Sequence, residues 1–391
     1  MRYQIVHYAH FNDGTGWANA SIGYARALKT AVEKYNQDKV HRRNGDSIAL
    51  QLVSCKLNNS NVPLPADLAP LEVKKVELNP AAFRISLQQT LPHFMSCLEG
   101  FDYNVGVAVC ETDFAYTDWS EYLNMMDKVI VPSETNYDSF FRSGVLESKL
   151  DLIAYPFDLT EIERYGKLSK THHIHPLLDG NYTFYTVSEY SKRKNFGALV
   201  RAYLAEFDPA EPVSLVIKMN GNKDALNKEI EEIKDGMKLY QDRSAYQPII
   251  TISEKLSDDG MIQLHRDFDC FVNVSHAEGW SLPTFQACAF GKQVLSAWSG
   301  GVDQFVEGIS LIDSVQETCF GATDTIPFLY TAREKWQNVR GPQLQYRMRQ
   351  AYECRDKFKQ KSSAIINKYF SYEYIGEEFL TALGVYSCLS K

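Results

Sequence analysis

The sequence predicts an α/β protein of two doubly wound parallel-sheet domains, and three observations carry that expectation. Short β-rich apolar runs alternate with helical patterns along most of the chain. A polar stretch rich in lysine and histidine interrupts the alternation near the middle. At 391 residues the chain exceeds what one ordinary core accommodates. The expected boundaries are a first domain over 1–160, a linker over 161–181 and a second domain over 182–368. A closing helical segment over 369–391 is expected to cross back to the first domain.

The elements follow in order. YQIVHYA (Tyr3–Ala9) reads as a strand, FNDGTGW as a loop, and ASIGYARALKTAVEKY as a helix. Further strands are expected at Ser47–Val53, Tyr103–Val109, Lys128–Pro132 and Leu150–Pro156. Ser133 is a good N-cap for the helix in ETNYDSFFRSG, and Gly144 ends it. From Leu159 to Asn181 the pattern blurs into a linker. His172, His173 and His175 lie there with no histidine or carboxylate at helical spacing, so they read as a solvated loop. A second α/β series follows: strand Tyr182–Ser188, helix FGALVRAYLAEF, strand VSLVIKM, helix DALNKEIEEIKDGMKLY, and strand PIITIS. After these come a short helix near DDGMIQLH, strand Cys270–Ser275, a helix starting near Leu282-Pro283, and strand Lys292–Ala297. Long helical patterns close the chain.

Composition narrows the class. Hydrophobic residues make up 45% and charged residues 23%, ordinary for a soluble globular protein. No signal-peptide pattern opens the chain, and no stretch is long enough to span a membrane, so a cytoplasmic protein is expected. Eight cysteines without paired spacing fit reduced thiols better than disulfides or a zinc site. A net charge of −8 weighs against a dedicated nucleic-acid binder.

In a parallel sheet, ligands sit beyond the carboxyl ends of strands, where helix N-termini present free N–H groups. Asp13-Gly14-Thr15-Gly16 occupies one such position, and Gly14 and Gly16 let backbone approach an anion. Lys192, Arg193 and Lys194 occupy a second. Three cations at a helix start oppose its dipole, an arrangement that makes sense with an anion between them. The third is Glu278 to Leu282, where Gly279 permits close approach and the amides of Gly279, Trp280, Ser281 and Leu282 can donate to oxygens. Glu278 can accept two sugar hydroxyls. Gln286 lies one turn into the helix, and Gly300-Gly301 follow the next strand. Glu111-Thr112-Asp113 follow strand Tyr103–Val109, and either orient an acceptor hydroxyl, touch the donor sugar or form a structural turn.

These stretches, above all SKRKNFGALVRAY and SHAEGWSLPTFQACAFGKQVLSAWSGGVDQF, resemble the retaining glycosyltransferases of the GT-B fold, the large family that includes sucrose synthase, glycogen synthase and bacterial mannosyltransferases. The N-terminal half adds GTGWANASIGYARAL. The resemblance implies two Rossmann-like domains facing a central cleft that binds a nucleotide-sugar such as a UDP- or GDP-sugar. It implies that Arg193 and Lys194 hold the diphosphate, with Lys192 sharing that work, and that Glu278 contacts the transferred sugar. Many relatives carry another arginine where this chain has Ser188. The family signature repeats a Glu eight positions after the first, where this chain has Gln286. That residue usually binds the ribose, so restoring Glu at 286 is expected to preserve or improve donor binding.

The expected activity is transfer of a sugar to a hydroxyl acceptor with retention, catalysed by Glu278, Lys194, Arg193 and Asp113, with no cofactor or metal required. Glu111, Thr15 and Trp17 are the expected acceptor-side residues, and the acceptor is a saccharide, a small molecule or another hydroxyl compound. Asp267-Phe268-Asp269 spells a metal–diphosphate motif of another glycosyltransferase fold but precedes a strand, at the wrong end of the sheet. Three rival readings stand beside this one. The acceptor is a hydroxymethylated DNA base, as in some bacteriophage enzymes, with His41-Arg42-Arg43 and Lys74-Lys75 contacting phosphates. The chain is a non-catalytic nucleotide-sugar binder. Or it is a nucleotide-sugar epimerase.

Overall fold

The structure is a computed structural model that describes residues 2–38, 46–116, 118–171, 178–298, 300–305, 309–322, 329–358 and 363–386. The chain divides into two compact units, Met1–Asp158 with Ile365–Lys391, and Leu159–Ala364.

In the first unit the apolar opening run forms β1 (Arg2–Ala9), buried along nearly its whole length as a strand covered on both faces must be. Helix α1 (Gly16–Gln37) follows, capped by the Thr15 hydroxyl, which accepts from the Ala18 amide at 3.2 Å. The unit continues with β2 (Ser47–Ser54), β3 (Phe83–Gln89), β4 (Tyr103–Val107), α2 (Trp119–Met125), β5 (Lys128–Val131), α3 (Glu134–Arg142) and β6 (Leu150–Leu152). Ser133 caps α3 through the Asn136 amide, and Gly144 follows it at φ 96°. The described strands pair in parallel in the order β2-β1-β3-β4-β5-β6. The order reverses between β1 and β3, which makes the loops after them the ligand edge of this sheet.

Sequence reading missed β3, because FRISLQQ carries four polar residues among seven. Ser86, Gln88 and Gln89 are buried, and each finds a partner nearby. Ser86 donates to Asn104 Oδ1 at 2.7 Å, and Gln88 bonds both the carbonyl and the amide of Ser96. Two other expected strands are shorter than their apolar runs: β4 stops at Val107 and β6 at Leu152.

The second unit opens with α4 (Leu159–Lys167), inside the stretch expected as linker. Its Tyr165 stacks on Phe290 at 4.5 Å and 6°, and its Arg164 bonds Asp259 at 2.8 Å. Then come β7 (Tyr182–Glu189), α5 (Phe196–Glu206), β8 (Val213–Asn220), α6 (Lys223–Met237), β9 (Ile249–Ile252), α7 (Asp258–Asp267), β10 (Cys270–Asn273), α8 (Leu282–Ala289), β11 (Gln293–Ala297), β12 (Ile309–Ile312), β13 (Ser314–Thr318), β14 (Lys335–Val339) and α9 (Gly341–Glu353). The described parallel strands run β12-β11-β10-β7-β8-β9, with β13 and β14 as a separate antiparallel pair. Read from β9 this is the doubly wound order 3-2-1-4-5-6, which reverses between β7 and β10. Its core joins Phe184, Leu215, Ile217, Val272 and Leu295 of the sheet to Leu199, Tyr203, Leu344 and Met348 of α5 and α9.

Two helices close the chain, α10 (Ala364–Tyr369) and α11 (Tyr372–Ala382). Helix α11 packs on α1 so tightly that a Cβ on Gly376 would lie 2.2 Å from the Ala27 carbonyl oxygen. Tyr24 of α1 meets Phe379 edge-on at 4.8 Å. The seven described cysteines are free, and Cys110, Cys270, Cys288 and Cys319 are buried. Lys74 and Lys75 are exposed, whereas His41, Arg42, Arg43, His172, His173 and His175 lie outside the described residues.

Candidate functional site

In the second unit the sheet reverses between β7 and β10, so the segments that follow those two strands lie at the carboxyl edge where doubly wound folds bind ligands. After β7, Lys192–Lys194 form one 3₁₀ turn that ends on Asn195 in the left-handed region, φ 53°, before α5 begins. The second segment is stitched to this turn. The His276 amide donates to the Arg193 carbonyl at 2.8 Å, and Asn195 Nδ2 bonds the Val274 carbonyl at 3.3 Å.

A charged cluster results. Glu278 is 7% exposed, its Oε1 2.7 Å from Lys194 Nζ and its Oε2 3.4 Å from Arg193 Nη1. Arg193 also donates to the Ala277 carbonyl at 2.8 Å and pairs with Glu189 at 3.1 Å. Burial pushes the Glu278 carboxyl up, but the Lys194 and Arg193 charges, with hydrogen bonds from Lys194 and Ser275, hold it below the usual carboxylate range. It is therefore ionised at neutral pH. Lys192 departs from the expected trio, because its ammonium reaches away to the Phe320 carbonyl, 2.7 Å distant. Two of the three cations converge on Glu278, and the third brackets the β13–β14 pair.

The glycine pair supports the loop backbone. Gly300 has φ 65°, and a Cβ there would sit 1.6 Å from the Glu278 carbonyl oxygen. A Cβ on Gly301 would meet the Gly279 carbonyl oxygen at 2.5 Å and Trp280 Cα at 2.7 Å, while its amide bonds the Glu278 carbonyl. Only glycine lets these two stretches of chain touch. Gly279 and Trp280 are buried, and the Trp280 ring packs against Phe285 and Phe305, each 5.2 Å away. Ser281 is held at φ 69° without being glycine, a strained conformation of the kind that collects at functional loops. Its hydroxyl lies 2.7 Å from that of Thr284. Leu282 then opens α8, with Pro283 in its first turn as expected.

Gln286 has partners that no spacing rule revealed. Its Nε2 donates to Glu161 Oε2 at 2.8 Å, and its Oε1 lies 3.2 Å from His265 Nε2. The Tyr185 hydroxyl lies 2.8 Å from His265 Nδ1. Burial, with the Lys292 charge beside it, lowers the His265 pKa to about 3 despite the Gln286 bond. The neutral ring thus accepts from Tyr185 and donates to Gln286, which passes one N–H on to Glu161. The amide at 286 suits this chain, since a carboxylate there would face the Glu161 carboxylate directly.

In the first unit Gly14 adopts φ 65° after β1 and Thr15 is the α1 cap. Gly16 has open space around it, and Trp17 meets His10 edge-on at 6.1 Å. Glu111 and Asp113 are half-buried in the turn after β4. Helix α3 fixes that turn, since Asn136 Oδ1 accepts from the Cys110 amide and Ser139 donates to the Thr112 carbonyl. Asp267 and Asp269 bond Thr171 and the Thr183 amide at the amino end of β10, away from the carboxyl edge. Among the described residues, no cluster of three histidine, cysteine or acidic side chains is arranged to hold a metal ion, and no helix is long and apolar enough to cross a membrane.

Sequence reading missed Glu161, Glu189, His265 and His276. Glu161, His265 and His276 join the site through packing of elements distant in the chain, whereas Glu189 pairs with Arg193 only four residues on. His276 had a signal, standing two residues before Glu278, yet its role depends on Trp336, on which it stacks at 4.3 Å.

No protein-family model and no curated protein matches the chain. Solved structures do. A UDP-forming α,α-trehalose-phosphate synthase from Burkholderia xenovorans is similar, with TM-score 0.63, 12% identity, and 98% of this chain and 99% of that one covered. HepE of Anabaena in complex with UDP and glucose gives TM-score 0.59 and 14% identity, covering 97% and 99%. A glycosyltransferase from Rickettsia africae gives TM-score 0.63 and 12% identity, covering 100% and 99%. These likenesses span both units, and with the two parallel six-strand sheets they show that the chain has the GT-B fold of Rossmann-like α/β domains.

Proposed function

We propose that the protein is a glycosyltransferase that moves a sugar from a nucleotide-sugar to a hydroxyl acceptor with retention. One observation carries the reading. A buried, ionised Glu278 and two cations, Lys194 and Arg193, share one cluster at the carboxyl edge where the second sheet reverses. Ionised carboxylates pair with two cations at many structural sites, but this one lies where doubly wound folds bind ligands. The neighbours of the same fold that are described with UDP, UDP-glucose or UDP-2-fluoroglucose bound are consistent with a UDP-sugar here.

In this mechanism Lys194 and Arg193 take the donor diphosphate. Charge grows on the diphosphate as the bond from the anomeric carbon to its oxygen breaks, so fixed cations stabilise the transition state more than the ground state. A carboxylate has about four lone-pair positions. Glu278 therefore keeps acceptor capacity for hydroxyls of the sugar while held by its cations. A carboxylate neutralised in this way is a poor nucleophile, which supports same-face attack by the acceptor oxygen. That oxygen bonds the anomeric carbon, and its proton passes to the departing phosphate oxygen. Asp113 and Glu111 orient the acceptor in this reading, and no metal takes part.

Thermal unfolding with a panel of UDP- and GDP-sugars tests the proposal, followed by hydrolysis assays on those that stabilise. At a ligand concentration about 100 times Kd, stabilisation of roughly 2.7 kcal/mol is expected. A panel with no stabilising member counts against the reading.

A further inference from the structure

Phe320 is 74% exposed, more than any other large hydrophobic residue among those described. Its position is fixed nevertheless. Lys192 Nζ donates to its carbonyl at 2.7 Å, and Gly321 beside it has φ 68°, where a Cβ would press to 2.8 Å from that ammonium. On the other side Cys319 is 2% exposed and packs with Trp336 against Ala277, the residue before Glu278. The Cys319 amide bonds the Glu334 carbonyl at 2.8 Å, and the Glu334 carboxylate is in turn held by the amide and hydroxyl of Thr331. His276 completes the bracket by stacking on Trp336 and exchanging hydrogen bonds with Gln337.

An aromatic ring left bare is costly to keep in water, and this one projects from backbone fixed beside the loop that leads to Glu278. One neighbouring residue leads to the sugar-binding carboxylate and another is the first of the three basic residues. Pyranose rings present a face of C–H groups that packs on an aromatic ring while their hydroxyls reach polar groups at the rim. We propose that Phe320 is the platform on which a pyranose ring of a saccharide acceptor packs, which narrows the acceptor from any hydroxyl compound to a sugar. The inference rests on the glycosyltransferase reading above.

The test uses the full chain and three probes, the methyl pyranosides of glucose, mannose and galactose, with binding followed by saturation-transfer NMR in the presence and absence of UDP or GDP. At least one pyranoside is expected to bind wild-type protein. F320A is expected to weaken that binding roughly threefold to tenfold, the range for one lost ring contact, and F320W to retain it. Stabilisation by UDP or GDP is expected to be the same in all three proteins. No pyranoside binding to wild type, or equal binding to F320A, overturns the proposal. Loss of nucleotide stabilisation in F320A also overturns it, because the ring then serves the donor. Pyranoside binding by a wild-type protein that ignores every nucleotide leaves the platform standing and defeats the transferase reading instead.

Discussion

Replacing Lys194 by Met separates what the cluster does for folding from what it does for chemistry. The Lys194 and Glu278 side chains are 12% and 8% exposed, and their charged atoms lie 2.7 Å apart. Removing one partner of a buried pair commonly costs about 3–5 kcal/mol, because the other charge stays buried without compensation. Arg193 remains 3.4 Å from Glu278, so the lower end, about 3 kcal/mol, is expected. For a domain of about 200 residues that lowers Tm by roughly 6–12 °C. Glu278→Gln in the same chain removes the stranded charge and should recover at least half of the loss. Activity should behave differently, since both the single and the double variant lack the cation proposed to meet the departing diphosphate. Scanning calorimetry and donor hydrolysis on the same samples decide the matter. A single variant melting within about 1 °C of wild type would falsify the tight pair. A double variant with restored stability and near-normal turnover would refute the catalytic assignment of Lys194.

Gln286→Glu brings a carboxylate against Glu161 and should cost about 2 kcal/mol in urea unfolding, since like charges this close disfavour joint ionisation. Adding Glu161→Gln should return most of it, and a coupling below about 0.5 kcal/mol contradicts the hydrogen-bonded chain. Gly300→Ala has no room beside the Glu278 carbonyl and should cost more than about 3 kcal/mol and abolish nucleotide stabilisation. Gly16→Ala meets open space and should leave stability level or slightly raised, so a loss of nucleotide stabilisation there reveals ligand close to α1. Burial lowers the pKa of His7 to about 4 and of His265 to about 3, from an ordinary 6.5. Both stay neutral in the fold while the unfolded chain takes up protons. Each should therefore withdraw about 1.4 kcal/mol per unit as pH falls from 6.5 toward 4. A denaturation midpoint flat from pH 6.5 to 4.5 contradicts this.

The parts of the fold that sequence made legible are those where one local rule acts alone. Apolar runs marked β1, β7, β8 and β10 because parallel strands are covered on both faces. Ser133 and Leu282-Pro283 marked helix starts because capping and the fixed φ of proline are local. β3 stayed hidden because its polar residues are buried through hydrogen bonds to Asn104 and Ser96, partners that composition does not reveal. β12, β13 and β14 are four or five residues long, too short for alternation to stand out.

The candidate site divides along the same line. The residue types at Arg193, Lys194 and Glu278 were readable because each lies on a loop directly after a strand. Their conjunction depends on β10 lying beside β7 although some eighty residues separate them, and strand order is the first fact that determines it. Gly300-Gly301 shows a related limit. A glycine pair after a strand looks the same in sequence whether it admits a ligand or another stretch of chain, and here the backbone of Glu278 to Trp280 fills the space. Gln286 carries the point furthest. Seen alone it is a motif glutamate with its charge removed, whereas beside Glu161 the amide can donate one hydrogen bond and accept another. The missing charge at 286 is accordingly matched to a carboxylate on α4, and the two residues act as one hydrogen-bonded unit.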